Sequence, residues 1–256
     1  MLILLAKGWV NPIFIRLVRF RVCFRNICSM KKARKALQYL ASFTGDIPVQ
    51  KYNSPVSPAL EVCMSGGRLQ LNSANVNYSY GPLHDAFSRY FRLDKPPLNP
   101  GDQVLILGFG GGSVAEILRE ELGYDNPITG IDADECVLDA AKRHFNIERL
   151  KDLTLVCSDA LEFMEACRVQ YQLIVVDIYV DKNVPGPFES AEFVRHLRRC
   201  LSDGGKVVFN KFAGTTTLEQ QAGRLGRLFE QIFGNVRTFR IAVNRNAPNV
   251  MITSKG

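Results

Sequence analysis

From Val104 onward the apolar positions along the chain alternate between two spacings. Val104 to Leu107 is an unbroken apolar run, which predicts a strand buried on both faces of a parallel sheet. A glycine turn follows (Gly108-Phe109-Gly110-Gly111-Gly112-Ser113), and then a helix-forming segment from Val114 to Leu122. The same beat recurs downstream. Strands are predicted at Ile128 to Asp132, Leu153 to Cys157, Tyr171 to Ile178 and Gly205 to Asn210. Helices are predicted at Asp134 to Phe145, Ala160 to Cys167, Ser190 to Leu201 and Leu218 to Phe233; in the first of these Val137, Leu138 and Ala141 fall at helical spacing. Regular alternation of this kind predicts an α/β fold, a doubly wound parallel sheet with helices on both faces. The last two strands, Val236 to Val243 and Val250 to Ser254, are separated only by Asn244 to Asn249. That gap is too short for a crossover helix, so an antiparallel hairpin is expected there.

The preceding part has another character. Pro48, Pro55 and Pro58 punctuate short apolar runs, and Ala59 to Met64 and Arg68 to Leu71 flank Ser65-Gly66-Gly67, a hairpin signal. Asn72 to Gly81 reads as a loop placed to line a site from outside, before a helix over about Pro82 to Phe91. Asp94 to Asp102, with Pro96, Pro97 and Pro100, reads as a linker into the first buried strand. The expected organisation is a basic leader over 1–36, a small β-hairpin appendage over 37–81 and the main domain over 82–256.

Composition sharpens this picture at three points. A length of 256 residues with 46% hydrophobic content suits one large α/β domain plus an appendage. The net charge of +7 belongs to the leader: nine of the Lys and Arg residues, and no acid, lie in 1–36, so the remainder carries a net charge of −2. The expected folded body therefore has no nucleic-acid footprint. The leader contains no apolar run approaching the roughly 20 residues of a membrane span, and it lacks the cleavage site of a secretory signal. Two readings of it stay open, a basic membrane-surface helix or translated sequence upstream of a start at Met30. The seven dispersed cysteines suit reduced thiols in a cytoplasmic protein. His84, His144 and His196 form no metal-ligand pattern, and no metal is expected.

Strands that end at a common edge place their last residues around one crevice, where such sheets bind ligands. Gly108, Gly110 and Gly112 close the first strand and let backbone approach a ligand. Asp132 ends the second strand, where a carboxylate can accept hydrogen bonds from ribose hydroxyls. Asp159 ends the third, placed either to accept from an adenine amino group or to cap the next helix. Asp177 ends the fourth, after so apolar a run that an acid there needs partners or work. It is placed to accept a proton from an attacking amine, to orient that amine, to bind the ligand's own ammonium group, or to anchor the loop that follows.

A doubly wound sheet finishing in an antiparallel hairpin resembles the Rossmann-like class I S-adenosylmethionine-dependent methyltransferases. Over roughly residues 59 to 210 the order of motifs is similar to spermidine synthase. The shared features are the Ser-Gly-Gly hairpin, Tyr80 before a helix, the glycine turn, Asp132 followed by Asp134-Glu135, Ser158 to Phe163, and Asp177. The resemblance implies that Asp132, Asp159 and Ala160 contact an adenosyl ligand, with Gln70 matching a ligand-contacting glutamine, and that Asp177 promotes attack by an amine. Tyr80, Tyr179 and Asp181 are the implied substrate-binding residues. Three departures stand out. Gly111 replaces an acid expected to help hold the aminopropyl group; Asp177-Ile178-Tyr179-Val180-Asp181 replaces the family's D-S-S-D loop; and Tyr80-Gly81 replaces its Tyr-His pair.

The ligand expected is S-adenosylmethionine or its decarboxylated form. Methyl transfer to a small molecule is slightly favoured, with aminopropyl transfer making polyamines and a non-catalytic adenosyl-binding protein as alternatives. For aminopropyl transfer, an acid would have to swing into the space left by Gly111. A soluble cytoplasmic protein acting on a small molecule, an amine among the candidates, is expected; a homodimer is left open.

Overall fold

The computed structural model describes residues 35–74, 77–180, 183–244 and 247–256. The readings of the leader before residue 35, and of Asp181, fall outside the described residues. A helix over 35–41 (α1) leads into β1 (Ile47–Lys51), β2 (Glu61–Ser65), β3 (Arg68–Asn72) and β4 (Asn77–Ser79), one antiparallel sheet in chain order. The expected hairpin is β2–β3, closing with Ser65 opposite Arg68. The appendage is larger than that hairpin: β1 adds an edge strand, where Pro48 is tolerated, and β4 lies within the segment expected to be loop. Three residues of strand are too few to leave an alternation pattern, and pairing with β3 is what makes β4 a strand.

The main domain runs α2 (Pro82–Leu93), β5 (Val104–Leu107), α3 (Ser113–Glu116, continuing through a π-turn over Ile117–Glu121), β6 (Ile128–Asp132), α4 (Glu135–His144), β7 (Leu153–Cys157), α5 (Ala160–Ala166), β8 (Tyr171–Val176), α6 (Ala191–Arg199), β9 (Leu201–Phe212), α7 (Thr216–Phe233), β10 (Arg237–Asn244) and β11 (Ala247–Lys255). Its seven strands lie in the order β10-β11-β9-β8-β5-β6-β7, parallel from β9 to β7 and antiparallel at the β9–β11–β10 end.

The apolar run of β5 has a simple cause. Val104 and Ile106 face the cluster formed with α2, α3 and α4, while Leu105 and Leu107 face the one formed with α5, α6 and α7. Both faces of the strand are dry, so no position can be polar. The closing hairpin departs from expectation in its extent: Asn244 pairs with Ala247, and Pro248 with Ala242, inside the segment read as a loop. Because β11 is inserted between β9 and β10, pairing on both sides overrides the turn-forming residues, and the missing proline N–H sits beside a bulge at Ala242/Asn244.

From β5 the chain moves first to β6 on one side and later to β8 on the other. That reversal opens a crevice at the C-terminal ends of the strands. Among the described residues, no helix is long and apolar enough to cross a membrane.

Candidate active site

The crevice holds a cavity of about 510 Å³. Its floor begins at Gly108, whose φ of +82° carries the chain away from β5. A Cβ there would stand 2.3 Å from the carbonyl oxygen of Asp177, so only glycine lets the ends of β5 and β8 pass. The turn next delivers the Gly110 N–H to Asp132 Oδ2 at 2.9 Å, while the Asp134 N–H donates to Asp132 Oδ1 at 3.0 Å. Burial raises the Asp132 carboxyl to about 6; these two N–H groups oppose the rise and the nearby Asp134 charge adds to it. Asp134 caps α4 by accepting from the Cys136 N–H, and it also accepts from the Ser54 hydroxyl at 2.5 Å. Ser54 thereby ties the segment carrying Val56 and Ser57, which line the cavity, to the main domain.

Asp159 caps α5, accepting from the Leu161 N–H at 2.7 Å, and with Ala160 lines the cavity above β7. Both readings of this acid are thus compatible with its position. At the opposite end, Asp177 Oδ1 accepts from Asn210 Nδ2 at 2.8 Å, and Asn210 Oδ1 in turn accepts from Asn249 Nδ2 at 2.8 Å. Burial raises the Asp177 carboxyl to about 7; the Asn210 hydrogen bond opposes this and the negative charge of Asp132 reinforces it. An acid with its proton affinity near neutrality, fixed by an amide at the end of a cavity, is suited to accept a proton from a nucleophile. The Tyr179 ring lines the cavity, but its hydroxyl donates to the Asn210 carbonyl at 3.1 Å and accepts from the Phe212 N–H at 2.7 Å.

Gly108, Gly110, Asp132, Asp159, Ala160, Asp177 and Tyr179 therefore meet at one cavity. Three expected site residues do not. Gly112 is the N-cap of α3, and a Cβ there would press on Ile147 and Phe109 at 3.1 Å, so it serves packing. Gln70 lies against Gly81, where an added Cβ would meet its Cδ at 2.8 Å, rather than against the cavity. Tyr80 has φ +63°, which turns its ring inward to stack on Phe145 at 4.6 Å, with its hydroxyl donating to Glu116 at 3.0 Å.

The space imagined beside Gly111 is also filled. The Gly111 N–H donates to Ser79 Oγ at 2.6 Å, and a Cβ on Gly111 would stand 2.9 Å from Ser79 Cβ and 3.3 Å from Phe145. Sequence reasoning missed Asn210, Asn249, Ser79 and Ser54. Only Asn210 carried a signal, as the polar residue following the apolar Val207-Val208-Phe209 of β9.

The chain matches the family described as Spermine/spermidine synthase domain over residues 96–254. It is 27% identical over 154 residues to a probable polyamine aminopropyl transferase of Bifidobacterium longum, an alignment covering 60% of this chain and 34% of that one. It is 24% identical over 139 residues to an eEF1A lysine and N-terminal methyltransferase homolog of Drosophila pseudoobscura pseudoobscura, covering 51% of this chain and 20% of that one. The chain spans less than half the length of the curated relatives it matches. In three dimensions it is similar to spermidine synthase from Thermotoga maritima, with a TM-score of 0.64, 16% identity, and coverage of 82% of this chain and 73% of that one.

Proposed function

This chain belongs to the spermine/spermidine synthase domain family, and from that premise we propose that it is a transferase that takes decarboxylated S-adenosylmethionine and passes its aminopropyl group to an amine. One observation carries this reading. The described residues lining the cavity include four carboxylates, Asp132, Asp134, Asp159 and Asp177, and no Lys, Arg or His. Intact S-adenosylmethionine would bring a carboxylate into that field, and among the described residues lining the cavity there is no cationic side chain to meet it. The decarboxylated donor brings a sulfonium and an ammonium, both attracted by it. Relatives named as polyamine aminopropyltransferases support the same choice.

In the reaction, the amine nitrogen forms a bond to the carbon beside the sulfonium, the carbon–sulfur bond breaks, and methylthioadenosine leaves. The proton lost from nitrogen goes to Asp177. The protein's contribution is to hold the donor along Asp132 and Asp159 and to align the amine at Asp177. The free, dispersed thiols support a reducing, cytoplasmic setting.

A second reading, methyl transfer from intact S-adenosylmethionine, is favoured by Gly111. With Ser79 and Phe145 closing that space, no carboxylate stands where the resemblance puts one to hold an aminopropyl ammonium. Calorimetry with each donor, followed by mass analysis of products from an amine panel, separates the two. Tighter binding of the decarboxylated donor and a product gaining an aminopropyl group are expected. Binding of the intact donor alone, with methylated products, would reverse the assignment.

A further inference from the structure

The loop between β1 and β2 reaches the cavity from the appendage. It contributes Val56 and Ser57 to a lining that also takes Asp132, Ala133, Asp134 and Val137 from the end of β6 and the start of α4. Both ends of this loop are fixed within the appendage: the Tyr52 N–H donates to the Leu60 carbonyl at 2.8 Å, and the Pro58 carbonyl accepts from Ser73 Oγ at 3.0 Å and from the Ala74 N–H at 3.1 Å. Its middle depends on one hydroxyl. Between Pro55 and Pro58 the backbone N–H groups are those of Val56 and Ser57, and both donate to Ser54 Oγ, at 3.0 and 2.7 Å. The Ser54 hydroxyl itself donates to Asp134 Oδ2 at 2.5 Å, across 80 positions of chain. One donor and two acceptors exhaust what a serine hydroxyl offers. Ser57 and Asp134 are buried, at 4% and 2% exposure, so these bonds are sheltered from water. At the far end of α4 a separate set of contacts holds the appendage: His144 Nε2 lies 3.0 Å from Gln50 Oε1, and the Tyr52 ring packs edge-on against the His144 ring at 6.3 Å. Gln50, Tyr52 and His144 do not line the cavity.

We infer that Ser54 is a positioning residue for the adenosyl donor: it shapes the loop and fastens it to Asp134, so that Val56 and Ser57 stand in place at the cavity before the ligand arrives. The inference rests on the reading that this cavity takes an adenosyl donor, which aminopropyl and methyl transfer share. Without the hydroxyl, two backbone N–H groups and a buried carboxylate each lose a partner. The ligand must then order the loop as it binds, and the cost appears as lost affinity. Because the two ends of the loop keep their own hydrogen bonds, the damage stays local.

Calorimetry with methylthioadenosine, which needs no turnover, is run on the wild type, Ser54→Ala, Ser54→Thr and Gln50→Ala. Affinity should fall about tenfold or more in Ser54→Ala. It should stay within about threefold of wild type in Ser54→Thr, which keeps the hydroxyl, and in Gln50→Ala, which loosens the appendage away from the cavity. Amide exchange of the ligand-free Ser54→Ala protein should quicken by about tenfold or more at Ser57 and stay unchanged at Tyr52, whose N–H is bonded to Leu60. Wild-type affinity in Ser54→Ala, unchanged exchange at Ser57, or an equal loss of affinity in Gln50→Ala overturns the inference and leaves the donor reading standing. A wild-type protein that binds no methylthioadenosine overturns both. Binding without transfer to any acceptor removes the transferase reading and leaves the role of Ser54 intact. Should Ser54→Ala fail to fold, Ser54→Cys carries the test: its thiol is a weak hydrogen-bonding partner, so affinity should fall in the same direction, and wild-type affinity there overturns the inference.

Discussion

Replacing Asp177 by Asn separates the charge at the end of β8 from its shape. In the native protein burial holds this carboxyl at about 7, against an ordinary value of 3.8. The native state then keeps its proton to higher pH than the unfolded chain does. Between about pH 4 and pH 7 it binds more protons, so stability falls as pH rises through that window and levels off above it. Each tenfold change in proton affinity corresponds to about 1.4 kcal/mol, which gives roughly 4 kcal/mol for the whole shift. Asp177 lines a cavity that admits water and is only partly withdrawn from solvent, and this partial hydration brings the expected effect nearer to about 2 kcal/mol. Asparagine cannot ionise, and its side-chain oxygen can still accept from Asn210. Urea unfolding of the ligand-free protein, repeated from pH 4 to pH 8.5, should give equal stabilities near pH 4 and an advantage for Asp177→Asn that grows to about 2 kcal/mol by pH 8. A difference that stays flat with pH, or that favours the wild type at pH 8.5, would refute the burial argument. In the same variant turnover should fall by roughly 10² to 10⁴ with donor affinity little changed, because only the proton acceptor has been lost. Full turnover would remove Asp177 from the reaction.

Asn210→Ala takes away the hydrogen bond that holds the Asp177 carboxyl down; the acid limb of kcat/KM, expected near pH 7 in the wild type, should move to higher pH, and a limb that stays in place would sink that account. Gly111→Asp forces a side chain against Ser79 and Phe145; melting curves should report a loss of about 1 to 3 kcal/mol, and calorimetry should find no gain in affinity for the decarboxylated donor. Tighter donor binding in that variant would mean that the space can open after all.

The parts of the fold legible along the chain were those where a residue's surroundings depend on its own segment. Val104 to Leu107 read as a two-faced buried strand because it lies between two helical layers, and the acids at the ends of β6, β7 and β8 were visible because each interrupts an apolar pattern. Asn249 was not visible, since Asn-Ala-Pro-Asn reads as a turn until β11 is paired on both sides. Tyr80 carried the right residue type in the right order, yet its left-handed backbone sends the ring into the core, and nothing in neighbouring residues announces that.

What the sequence determined by itself was the alternation of strand and helix, the crevice that such alternation creates, and the candidate acids at its rim. These follow from local composition, because an element that must be buried has to be apolar and an exposed turn need not be. The tertiary structure alone decided which groups share the cavity and which are spent elsewhere. Asn210 reaches Asp177 across 33 positions of chain, and Ser79 fills the space beside Gly111 across 32. Hydrogen bonds and steric contacts act over a few ångströms of space, so distance along the chain leaves no trace of them.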